Sequence, residues 1–90
     1  MSNNLSATNA NYSQIFTLDC ATVGRTYLIV ACNTQNDVVL RLAEMGLVPQ
    51  TAVTVLKIAP LGDPMEICVR RYSICIRAKE AKNFTVRVLQ

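Results

Sequence analysis

The pattern of hydrophobic and polar positions changes at about residue 16. Before it, Asn3, Asn4, Asn9 and Asn11 lie among Ser, Thr and Ala with no sustained period, which predicts a disordered or flexible tail over residues 1–15. Residues 16–90 carry the periodic segments and read as a single folded domain. Tyr27-Leu28-Ile29-Val30-Ala31 is a continuous β-prone run that follows the turn residue Gly24. It is too short for a typical helix and reads as a strand. Val38, Val39, Leu42 and Met45 then fall at helical spacing, with Thr34 as N-cap and Asp37 three residues on. Gly46 stops this helix by taking the left-handed conformation, Leu47 folds back on Leu42, and Pro49 forbids continuation.

After the helix the period becomes that of strands. Ala52–Ile58 is one strand, and Pro60-Leu61-Gly62-Asp63-Pro64 is dense turn chemistry. Met65–Arg70 and Ser73–Ala78 form a hairpin, Lys79–Asn83 a single helical turn, and Thr85–Leu89 the last strand. One early strand, one helix and four closely spaced strands predict a mainly β fold with one short helix, bent into a small barrel. The alternation also predicts a register for the hairpin. With Arg71-Tyr72 as its turn, Val69 faces Ile74 and Ile67 faces Ile76 on the core side, while Cys68 faces Cys75 and Glu66 faces Arg77 outside.

That register sets two thiols directly across a ladder, within disulfide reach. They could serve as a redox-sensitive pair or half of a soft metal site, or simply pack side by side. Packing is the preferred reading, because two thiolates alone hold a transition metal poorly and no nearby residue supplies further ligands. Neither Cys20 nor Cys32 forms a CxxC pair, and the chain has no histidine for a Cys/His zinc site. No cofactor is expected, with a weakly held divalent transition metal as the alternative.

Composition narrows the function classes. At 51% hydrophobic and 17% charged, the chain has enough apolar surface to fold. The lack of histidine and the presence of only six acids leave little for acid–base chemistry, so no enzyme is expected. The net charge is +3, and no basic run exceeds Arg70-Arg71, which argues against nucleic acid. No apolar stretch approaches the roughly 20 residues of a membrane span, and the N-terminus has no secretion signal. The expected location is the cytoplasm. A core this small also makes a homo-oligomer plausible.

Arg41-Leu42-Ala43-Glu44-Met45-Gly46-Leu47-Val48-Pro49, followed by Gly62-Asp63-Pro64-Met65-Glu66-Ile67-Cys68-Val69-Arg70, resembles the FeoA family. The likeness continues through Ile74-Cys75-Ile76-Arg77, Glu80-Ala81 and Val86-Arg87-Val88 and reaches back to Leu18 and Val23-Gly24, about 75 of the 90 residues. It implies a small SH3-like five-stranded barrel in which Gly46, Leu47, Pro49, Gly62, Asp63 and Pro64 are scaffold. It also implies an accessory role in ferrous iron uptake, through docking on the cytoplasmic, GTP-binding part of a FeoB-type transporter. FeoA-like domains also occur behind the DNA-binding domains of metal-dependent repressors. The short N-terminal tail leaves no room for such a domain and favours the free-standing form.

Two positions depart from the family pattern, which usually has Gly where this chain has Gln50 and Arg71. The candidate partner contacts are Leu61 and Tyr72, placed at turn tips without a core role, with Arg70, Arg71 and Lys79 as a nearby basic fringe. The alternatives are a metal- or redox-responsive sensor using Cys68 and Cys75, and a small-barrel adaptor for peptide or RNA.

Overall fold

The computed structural model describes residues 15–89. The tail expected over residues 1–15 therefore lies outside the described residues except for its last position. Ile15 opens strand β1 (Ile15–Thr17), which a single 3-10 turn (Leu18–Cys20) joins to β2 (Thr26–Cys32). Helix α1 (Asp37–Glu44) comes next, then β3 (Ala52–Ile58), β4 (Met65–Val69), β5 (Tyr72–Ile76), the one-turn helix α2 (Ala78–Ala81) and β6 (Phe84–Val88). All the strands belong to one antiparallel sheet in the order β1-β6-β2-β3-β4-β5. This is the expected SH3-like, mainly β architecture, with β1 as a sixth strand and, among the described residues, without a ladder closing β5 onto β1.

Two bulges bend the sheet around its core. Ile29 pairs with Val86 and Ala31 with Thr85, so Val30 is an extra residue in β2. Val55 pairs with Ile67 and Lys57 with Glu66, so Leu56 is an extra residue in β3. An extra residue increases the local twist and reverses the in–out phase of the remainder of its strand. Both strands show that reversal. Tyr27 and Ile29 point inward, and then Cys32 does; Val53 and Val55 point inward, and then Ile58 does.

The enclosed side chains are Leu18, Tyr27, Ile29, Val39, Leu47, Val53, Val55, Ile67, Val69, Ile76, Phe84 and Val86, all essentially without solvent contact. Among the described residues no charged or polar side chain is buried. The Tyr27 hydroxyl accepts a hydrogen bond from the Thr22 N–H at 2.8 Å, and its ring meets Phe16 edge-on at 5.8 Å.

Helix α1 begins two residues later than expected. Asn36, rather than Thr34, is the N-cap, its side-chain oxygen accepting from the N–H groups of Val38 (2.8 Å) and Val39 (3.2 Å). The other end agrees with the sequence reading. Gly46 has φ +110°, its N–H donates to the Ala43 carbonyl, and the Leu47 N–H donates to the Leu42 carbonyl at 3.1 Å. Leu47 and Leu42 are both buried there, which docks α1 onto the sheet.

Gln50 occupies the family's glycine position with φ +77°, a left-handed conformation that most side chains avoid. Its N–H donates to the Ile29 carbonyl at 2.7 Å, fixing the entry to β3.

Replacing Asn36 by Ala is expected to cost about 1 kcal/mol, and Gly46→Ala about 1–3 kcal/mol because it also forces a left-handed φ on a residue with a side chain. Urea unfolding checks both, and a Gly46→Ala variant as stable as the parent would contradict the assigned cap.

Candidate partner-binding surface

The loop between β3 and β4 is closed by its own backbone. Ala59 N–H donates to the Pro64 carbonyl at 3.0 Å, and Gly62 N–H donates to the Ala59 carbonyl at 2.7 Å. This leaves Leu61 at the apex, 97% exposed. An open groove of about 290 Å³ lies at the base of the loop, its lining including Lys57, Ile58, Pro60, Met65, Glu66 and Cys75. The Asp63 Oδ1 accepts from the Ala78 N–H at 2.9 Å, tying the loop to α2 and placing Lys79 on this side.

The hairpin corrects the expected register. Its turn is Arg70-Arg71, and the opposed pairs are Val69 with Tyr72, Cys68 with Ser73, Ile67 with Ile74, Glu66 with Cys75 and Met65 with Ile76. The slip is by two residues, so every side chain keeps its face while every partner changes. Arg70 makes the tight turn possible by taking φ +60°. Cys68 and Cys75 are therefore diagonal neighbours, and the Glu66–Arg77 pair does not form within the ladder.

Tyr72 is consequently the first residue of β5 rather than a turn tip. It is half exposed, yet its hydroxyl donates to the Met45 carbonyl at the end of α1 at 2.8 Å. Arg70 is engaged at the same place: a β-carbon added to Gly46 would lie 3.1 Å from its Nε. That position sets a cation beside the carbonyl end of α1, where the helix dipole favours it. Sequence reasoning missed this latch because its partners lie about 25 residues apart with no shared periodicity.

The candidate contacts thus form two groups. Leu61 and Lys79 stand at the Met65 end of β4, and Arg70, Arg71 and Tyr72 at its Val69 end. At about 3.4 Å per residue, the ends of this strand are roughly 13 Å apart. The basic fringe is divided between these ends.

All four cysteines are free, Cys20 and Cys75 exposed and Cys32 and Cys68 partly covered. Among the described residues no three His, Cys, Asp or Glu side chains are grouped to hold a metal ion, and no helix is long and apolar enough to cross a membrane.

The model of the FeoA domain matches residues 16–88. The chain belongs to the FeoA family. A FeoA-like protein from Clostridium acetobutylicum superposes with a TM-score of 0.79 at 27% identity, over 86% of this chain and 90% of that one. FeoA from Chlorobium tepidum gives 0.77 at 31%, over 83% and 71%. FeoA from Stenotrophomonas maltophilia gives 0.70 at 23%, over 79% and 88%. That protein was solved as a zinc complex and is described as a prokaryotic SH3 domain protein, with a suggested role as a ferrous iron transport activating factor.

Mild oxidation of this FeoA-family chain is expected to leave Cys68 and Cys75 unlinked within a monomer. Alkylation of the folded protein should label Cys20 and Cys75 before Cys32 and Cys68. Peptide mapping by mass spectrometry reads both, and a Cys68–Cys75 bridge as the main product would contradict the register.

Proposed function

We propose that this chain is a cytoplasmic accessory and regulatory protein of ferrous iron uptake that docks on the cytoplasmic part of a FeoB-type transporter. Its FeoA-family membership supports the transport context. The observation carrying the docking surface is Leu61, an almost fully exposed leucine at the apex of a loop closed by its own backbone hydrogen bonds, with an open, largely apolar groove at the loop's base. An apolar side chain presented this way has no partner within the described fold, and covering it contributes about 1.5–3 kcal/mol of favourable transfer energy. Lys79 follows Ala78, which the Asp63 carboxylate of the same loop holds, and so supplies a cation on this side, while Lys57 and Glu66 line the groove itself.

Tyr72 and Arg70 contribute differently from Leu61. Both are held at the end of α1, so removing them would disturb the fold as well as any contact. Regulation would result if the chain binds one conformation of the transporter more tightly than another, because only differential affinity shifts an equilibrium. This reading assigns no catalytic step to the chain.

Leu61→Asp is expected to weaken binding to the cytoplasmic region of the transporter at least tenfold, while the melting temperature stays within about 1 °C of the parent. Calorimetric titration together with thermal unfolding checks this. Undiminished affinity would remove the loop from the interface.

A further inference from the structure

The sheet ends on β5, and the outer edge of that strand is open among the described residues. A two-residue turn makes Val69 and Tyr72 a hydrogen-bonded pair, and pairing alternates along an antiparallel ladder. The backbone groups of Tyr72, Ile74 and Ile76 therefore face β4. Those of Ser73 and Cys75 face away, and both residues are exposed. An edge with free N–H and C=O groups is a template for a further strand.

Charge selects what that strand can be. Residues 70–79 carry Arg70, Arg71, Arg77 and Lys79 and no acid; Arg71 and Arg77 are the exposed cations flanking the open edge, while the Glu80 and Asp63 carboxylates beside the Arg77 end accept from the N–H groups of Arg77 and Ala78. A second copy pairing about Ile74 would set Arg71 opposite Arg77 of the other molecule, a destabilising like-charge contact. Residues 1–14 of the chain contain no acidic side chain to complement the edge. We propose that the open edge of β5 accepts an extended segment of a partner protein, acidic at both ends, as an added antiparallel strand. This deepens the docking reading and rests on it for the identity of the partner. Backbone bonds at Ser73 and Cys75 would supply affinity, and the flanking cations the register and the preference for acid.

The test uses the full-length, ¹⁵N-labelled chain. The probe is a capped seven-residue peptide with two glutamates at each end of a Val-Thr-Val centre. The amides of Ser73 and Cys75 are expected to become protected from solvent exchange, and binding should weaken with added salt. A control peptide with lysines in place of the glutamates should protect neither. Failure of the glutamate peptide to protect these two amides, or equal protection by the lysine peptide, overturns the proposal.

Cys75→Pro removes an outward N–H without touching the ladder to β4 and should reduce peptide affinity at least tenfold. If that variant fails to fold, Arg71→Glu combined with Arg77→Glu should give the same loss. Titration against the transporter's cytoplasmic region separates the two readings. Parent binding with no effect of these substitutions would overturn strand addition and leave docking intact. Edge protection by the peptide without binding to that region would support strand addition and contradict the transporter as partner.

Discussion

A sheet of six short strands can enclose a core only if it bends, and here two inserted residues bend it. Val30 and Leu56 stand in adjacent strands, each the extra member of a bulge. They allow one face of β2 and β3 to keep meeting the same interior after the strands turn. Everything inward depends on that curvature: the aliphatic interior, the seat for α1, and the edge-on contact of Phe16 with Tyr27. Outward features depend on it as well. The bend leaves the β3–β4 loop projecting at one end and the β4–β5 turn at the other, with the open edge of β5 running between them.

The second anchoring point is the C-terminal end of α1. Gly46 takes a backbone conformation that allows Leu47 to enter the core, and its missing side chain leaves space for Arg70. Tyr72 completes the attachment through the Met45 carbonyl. The conspicuous aromatic and basic residues of the hairpin are thus partly fold-holding, whereas Leu61 has no such employment. In the proposed docking, this difference puts the weight on the β3–β4 loop and gives the hairpin end a supporting part.

Much of the fold was legible in sequence, for reasons that individual residues make plain. Ala52–Ile58 has the observed bounds because its alternation is bordered by Pro49 on one side and the Pro60–Pro64 turn on the other. The stop at Gly46 was readable because glycine before leucine and proline has few other uses. The hairpin register was not, because a slip of two residues preserves every face and only turn chemistry can choose between the alternatives. Arg70 accepts a positive φ without advertising it as Gly, Asn or Asp would. Thr34 and Asn36 are both good caps, and only the packed helix distinguishes them. Strand β1 is three residues long, too short for any period to register. Of the candidate surface, the exposed leucine was legible, but the separation of Leu61 from Tyr72 along β4 required the true register.

Regulation of a nucleotide-dependent transporter through differential binding, as proposed, requires an affinity that varies across nucleotide states. Calorimetric titration of the full chain into the transporter's cytoplasmic region, with GTP, with GDP and without nucleotide, makes that comparison. Dissociation constants are expected to differ by at least about fivefold between two of these states, the low end of typical coupling energies. Equal affinity in all three, or no binding in any, would contradict the proposed regulation.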